Sequence, residues 1–194
     1  VGAGRGDPPR FCVYGVLNGL NGGRVSEIFT PQNGDDSRDD RPRLVLDTNT
    51  VLALWMFRDP VLDDLRAWIE AGNCCLYSRE DALEESRRVL AYRQFGLSDA
   101  LQRTSHETFR SILTNRSTSS DGISTGELAT LPRCRDMDDQ KFLEIAFQTR
   151  ATYLLTRDKA LLRLARHRSI RDRFAILTPE RFQAKVLAAP TLLG

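Results

Sequence analysis

The sequence predicts an α/β fold with a mostly parallel central sheet and helices on both faces. Short apolar runs recur at Leu44-Val45-Leu46, Cys74 to Tyr77, Tyr153 to Leu155 and Phe174 to Leu177. Stretches with helical apolar spacing separate them, and strands alternating with helices in this way build parallel sheets. The 194 residues, 41% hydrophobic, suffice for one domain with a real core plus a tail.

Residues 1–42 predict an extension without fixed structure, or sequence from outside the natural start. Asn21-Gly22-Gly23, Asn33-Gly34-Asp35-Asp36 and the prolines at 8, 9, 31 and 42 break every periodicity, leaving only Phe11 to Leu17 as a candidate strand. The domain proper is expected over 43–184, with a tail at 185–194. Its first strand ends at Asp47. Asp59 and Pro60 then offer an N-cap and a first-turn proline for a helix whose stripe is Leu62, Leu65, Trp68 and Ile69, stopped by Gly72. After the second strand, Ser78 with Asp81 resembles a capping box for a helix to about Tyr92. Ser98 opens a helix carrying Leu101, Phe109, Ile112 and Leu113. Thr114 to Pro132, rich in Ser, Thr and Gly, predicts a loop. Asp136 with Asp139 caps a helix bearing Phe142, Leu143, Ile145 and Ala146. A short helix with Leu161, Leu162 and Leu164 follows the third strand, and Thr178-Pro179-Glu180 starts the last helix.

Composition excludes several classes. No run of about 18 apolar residues exists to span a membrane. The start lacks a basic region followed by an apolar stretch, so the expected location is the cytoplasm. Cys74 and Cys75 are adjacent, so in a strand they face opposite ways, and Cys12 and Cys134 stand apart. Buried thiols are the expectation, not a metal site or a disulfide framework. Net charge is only +2, yet Arg157, Lys159, Arg163, Arg166, Arg168, Arg171 and Arg173 concentrate positive charge that phosphates would meet.

Chemistry is expected beyond the carboxyl ends of the strands, where open α/β sheets place ligands. Two strands lead into acids there, Asp47 and Asp158, and two helices add acids near their N-termini. Carboxylates brought together repel unless a cation joins them, and oxygen-only donors favour Mg²⁺ or Mn²⁺. On the second helix, at about 100° per residue, Glu85 flanks the stripe of Ala82, Leu83, Ser86, Val89 and Leu90, whereas Glu84 faces away. Asp47 is the acid least explained as a helix cap, since it directly follows a strand. Angle alone leaves Asp138 and Asp139 equivalent, and Asp136 is a rival close by.

Asp47-Thr48-Asn49 after a strand, Ser78 with Glu85 and Val89-Leu90, Asp136-Met137-Asp138-Asp139-Gln140-Lys141-Phe142-Leu143, and Tyr153-Leu154-Leu155-Thr156-Arg157-Asp158, in this order, resemble a PIN domain. With Ile176 to Phe182, the resemblance is strongest to the PIN proteins assigned as toxins of bacterial toxin–antitoxin systems, over roughly residues 43–184. It implies a three-layer PIN-like fold and a Mg²⁺- or Mn²⁺-dependent endoribonuclease. By position, Asp47, Glu85, Asp139 and Asp158 match the family's four acids, as catalytic residues and metal ligands. The choice of Asp139 rests on the family's spacing. Asn49 and Thr156 match its small polar positions, with Asp136 in support. Arg157, Lys159 and Arg163 are candidates to hold RNA phosphates. A cognate antitoxin and self-association into a homodimer or higher oligomer are further implications, with no membrane partner. The long N-terminal extension and the Ser/Thr-rich segment from Ser117 to Thr130 depart from the pattern without touching an acid.

Two other classes compete. Asp47-Thr48-Asn49-Thr50-Val51 falls one residue short of the Asp-x-Asp-x-Thr/Val nucleophile motif of haloacid-dehalogenase-like phosphatases; Asn49 replaces the acid/base carboxylate they need. The other is a non-catalytic PIN fold that binds RNA or protein, disfavoured by the presence of all four acids.

Overall fold

A computed structural model describes residues 39–114 and 125–187. Four strands among them form one parallel sheet: β1 (Arg43–Leu46), β2 (Cys75–Tyr77), β3 (Tyr153–Leu155) and β4 (Ala175–Leu177), in the spatial order β2-β1-β3-β4. Leu44 sits between Leu76 on one side and Tyr153 on the other. The chain leaves β1 toward β2 and later returns to β1's other side, so its direction of travel switches between β1 and β3.

Strand alternation divides the core into two clusters, one on each face. Leu44 and Leu46 point into one with Leu62, Leu65, Ile69, Leu76 and Phe182, whereas Val45 points into the other with Phe142, Leu143, Ile145, Leu154 and Ile176. Helices therefore cover both faces, as the apolar strand runs require. Cys74 and Cys75 fall in opposite clusters, and both are buried free thiols, as is Cys134. Burial pushes the Cys74 thiol up to about 12 and Cys134 up to about 11, far from thiolate chemistry. Cys12 and the candidate strand Phe11 to Leu17 lie outside the described residues.

The helices are α1 (Thr48–Val51), α2 (Asp63–Glu70), α3 (Glu80–Leu90), α4 (Asp99–Ser111), α5 (Thr125–Leu128), α6 (Gln140–Gln148), α7 (Lys159–Leu164), α8 (Arg168–Arg171) and α9 (Pro179–Phe182). Several caps stand where the sequence puts them. Ser98 accepts from Leu101 N–H, Thr178 from Arg181 N–H, and Asp59 from Val61 N–H above a single 3₁₀ turn that leads into α2. Gly72, at φ 77°, ends the α2 region in the left-handed conformation.

Other expectations are corrected. Ser78 forms no capping box: Arg79 occupies the N-cap of α3 without a side-chain capping bond, and Asp81 pairs with the Arg79 guanidinium. Asp139 precedes α6 but its side chain caps nothing. The supposed loop 114–132 contains the turn α5, and Leu131 is buried. The segment after β1 is helical, with α1 running into a π-type turn at Leu52–Met56. Its apolar residues Val51 to Trp55 are buried on several sides, so no amphipathic stripe marked it. Contacts also run past both ends of 43–184. Arg41 donates to Gly72 O and Cys75 to Asp39 at one end, while Val186 and Leu187 pack on the core at the other. No helix among the described residues is long and apolar enough to cross a membrane.

Candidate active site

Asp47 follows β1 directly, at the carboxyl ends of β1 and β3 where the chain's course across the sheet switches and where open α/β sheets form their ligand crevice. Asp47 N–H continues the ladder to Leu155 O at 3.1 Å, so β1 and β3 clamp the residue directly. Its side chain is 3% exposed. Oδ1 accepts from Thr50 N–H at 2.7 Å and Oδ2 from the hydroxyl of Thr156. Asp47 is thus the N-cap of α1, although its place directly after a strand makes it the acid the sequence least explains as a cap. Burial raises its proton affinity above the ordinary carboxylate range, and these hydrogen bonds oppose the rise.

Thr156 joins two acids. Wholly buried, it donates to Asp47 and accepts from Asp158 N–H at 2.9 Å. Asp158 caps α7 through Oδ1, which accepts from Ala160 and Leu161 N–H at 2.7 and 2.8 Å. Its Oδ2 has no bond among the described residues.

From α3, Glu85 turns inward as its helical angle predicts. Oε1 accepts from the hydroxyl of Thr48 at 2.9 Å, and the Lys141 ammonium lies against Oε2 as an ion pair. Glu84 faces outward and pairs with Arg87 and Arg88.

Asp139 reports how closely the acids gather. Its carboxyl is pushed up to about 6, first by burial and then by the negative charges of Asp158, Asp136, Asp47 and Glu85. Asp138 is exposed, whereas Asp139 is half-buried. Asp136 is exposed, and its Oδ1 accepts from Asp138 N–H.

Two polar candidates stand outside the hydrogen bonds of the acids. Asn49 is exposed and makes no side-chain bond among the described residues, whereas Thr48 and Thr50 are buried and hold Glu85 and Asp47 through side chain and backbone. Arg157 is committed to Asp59 and Glu180 by ion pairs. Lys159 and Arg163 have no ion-pair partner among the described residues; with Arg166 and Leu162 they line a shallow pocket of about 440 Å³.

The match to known families fits this geometry. A family model described as PIN domain matches residues 43–160, from the first residue of β1 into α7. The chain belongs to the PIN domain family. Comparison with curated proteins and with solved structures finds no match. PIN domains are in general nucleases and typically use divalent metals. The donors here suit that chemistry: carboxylate oxygens without histidine prefer a hard cation, and the mutual repulsion felt by Asp139 is what such a cation relieves. Among the described residues, no three His, Cys, Asp or Glu side chains already stand close enough to hold one ion.

Proposed function

We propose that this PIN domain is a Mg²⁺- or Mn²⁺-dependent endoribonuclease in which Asp47, Glu85, Asp139 and Asp158 form the catalytic centre. One observation carries the reading: Asp47 and Asp158, far apart in the chain, meet through the hydroxyl of Thr156, and Asp139 lies near enough for their charges to raise its carboxyl. Such a centre is costly without a cation and useful with one. A bound divalent ion would supply Lewis acidity toward water and the phosphodiester.

The protein's own groups do the rest. Thr50 and Thr156 fix Asp47, which is buried. Asp158 is oriented by the first turn of α7. Lys159, Arg163 and Arg166 hold phosphates flanking the cleaved bond, and Asn49 stands at the solvent side. In-line attack by water in this setting leaves a 5′-phosphate and a 3′-hydroxyl.

The biological reading is a toxin of a toxin–antitoxin pair acting in the cytoplasm, restrained by a cognate antitoxin and self-associating. Its support is the sequence pattern alone. The decisive experiment incubates the purified chain with single-stranded RNA and Mn²⁺, with or without EDTA, and sequences both product ends. Cleavage that survives EDTA, or products ending in a cyclic phosphate, would reject the mechanism. Growth arrest on induced expression, relieved by a small neighbouring gene product, tests the toxin role.

A further inference from the structure

Two aromatic rings lie open to water beside a third, and the local backbone puts them there. After α3 the chain makes a 3₁₀ turn, Arg93–Phe95, before Ser98 caps α4. Phe95 N–H bonds Tyr92 O, and side chains three apart eclipse in such a turn. Tyr92 and Phe95 therefore stand side by side, ring centres 6.5 Å apart and planes only 15° from parallel. Phe57 reaches them from the end of the π-type turn, its ring edge-on to Phe95 at 5.3 Å. Phe57 is 51% exposed and Tyr92 53%, so both leave broad apolar surface in water. Beside Phe57, Arg58 holds φ 45°, a left-handed conformation that costs a non-glycine residue energy and is kept mainly at functional sites. Arg58 and Arg93 are exposed, and neither side chain has a hydrogen-bond or ion-pair partner among the described residues.

We infer that Phe57, Tyr92 and Phe95, flanked by Arg58 and Arg93, are a stacking platform for the bases of single-stranded RNA. Flat rings open to solvent take an unpaired base on its face, while the two guanidinium groups meet the phosphates between bases. A duplex keeps its bases stacked on one another and offers the rings nothing. A second copy of the chain fits less well, because a two-fold interface through this patch brings like charges together, whereas RNA brings the opposite charge. The platform also stands near the candidate centre. Tyr92 lies ~10 Å beyond Glu85 along the line of α3. Asp59, the residue after Arg58, pairs with Arg157, the neighbour of Asp158. The inference rests on the ribonuclease reading above and deepens it by naming unpaired RNA as the substrate class.

Fluorescence anisotropy of a labelled single-stranded RNA on the purified full chain, in EDTA to prevent metal-dependent cleavage, tests the platform. Thermal melting and sedimentation of each variant accompany it. The wild type should bind the same sugar-phosphate chain without bases at least about fivefold more weakly than the RNA itself. Phe57→Leu and Tyr92→Leu keep apolar bulk but lose the flat ring, and each should weaken RNA binding by about fivefold or more. Tyr92→Phe keeps the ring and should bind as the wild type does. On the chain without bases, wild type and leucine variants should bind alike. Arg93→Ala should lower the slope of log affinity against log salt by about 0.7, a slope that the leucine variants leave unchanged. Leucine variants that bind RNA like the wild type overturn the platform, and so does an equal loss on the chain without bases. Leucine variants that change the state of association but not RNA affinity overturn it in favour of a surface for a second copy. A wild type that binds no single strand overturns it too, and cleavage of RNA with Mn²⁺ then decides separately whether the ribonuclease reading stands.

Discussion

Thr156 and Asp47 lie 109 positions apart in the chain and share a hydrogen bond at the carboxyl ends of β1 and β3. That bond sits where the chain's course across the sheet reverses, the place where open α/β sheets admit ligands. It ties the most buried acid to the loop carrying Asp158, so two carboxylates are positioned by one hydroxyl.

Asp47→Asn should therefore separate chemistry from folding. Asparagine retains an oxygen for Thr50 N–H and carries no charge. Relief of the burial cost offsets weaker hydrogen bonds, so stability should change by no more than about 1 kcal/mol, or ~3 °C in melting temperature. RNA cleavage should fall at least about a hundredfold, because a neutral amide is a poor ligand for a hard cation. An Asp47→Asn protein that melts normally and cuts at the wild-type rate would show that Asp47 is structural only.

Thr156→Val tests the bridge itself. Valine matches threonine in shape, but it leaves a buried carboxylate oxygen and Asp158 N–H without their partner. The cost should be about 2–3 kcal/mol, with cleavage reduced about tenfold or more. Thr156→Ser restores the hydroxyl and should recover most of both. Equal loss in the serine and valine proteins would mean that packing of the methyl group, not the hydrogen bond, is what matters.

Much of this arrangement could be read from the residues. Leu44-Val45-Leu46 and Tyr153-Leu154-Leu155 are short, apolar and bounded by polar residues, as buried parallel strands must be. Local caps at Asp59, Ser98 and Thr178 were legible because a cap depends on neighbours in sequence. Glu85 was separable from Glu84 because helical angle is also local. What escaped depends on tertiary packing. The helical stretch Thr48–Met56 is buried around much of its circumference, so it lacks the polar face that advertises a surface helix. The roles of Thr48 and Lys141 required knowing that α1 and α6 both approach α3 at Glu85, which no spacing encodes. Arg157 looked like a free cation because its partners, Asp59 and Glu180, are far away in the chain.

Asp139 predicts a pH dependence. Its carboxyl is raised from 3.8 to about 6 in the fold, so the folded state keeps this proton where the unfolded chain has lost it. The resulting stabilisation is complete below the unfolded value and is lost as pH rises through the folded one. In EDTA, the melting temperature should fall between about pH 4 and pH 6.5, and Asp139→Asn should flatten that fall. Solvent screening of this half-buried group keeps the contribution to about 1 kcal/mol. Mg²⁺ at neutral pH should raise the melting temperature, since a cation favours the ionised carboxylates. If Asp139→Asn retains the full slope, the repulsion among these acids is weaker than their placement implies.

The basic residues after β3 should divide into two kinds. Arg157 bridges Asp59 and Glu180, so removing it loosens the contact between the start of α2's 3₁₀ turn and α9 and exposes two acids near the crevice. These pairs are partly exposed, and Arg157→Ala should cost about 1 kcal/mol or less. Its effect on binding single-stranded RNA should not change the salt dependence, because its charge is already spent on protein carboxylates. Lys159 and Arg163 have no such partners among the described residues. Each alanine substitution there should weaken RNA binding and lower the slope of log affinity against log salt by about 0.7, the value for one phosphate contact on a single strand. Measurements on a catalytically silent Asp47→Asn background keep the RNA intact during titration. A slope that drops for Arg157→Ala and stays constant for Lys159→Ala and Arg163→Ala would place the RNA on the α9 side of the crevice instead of along α7.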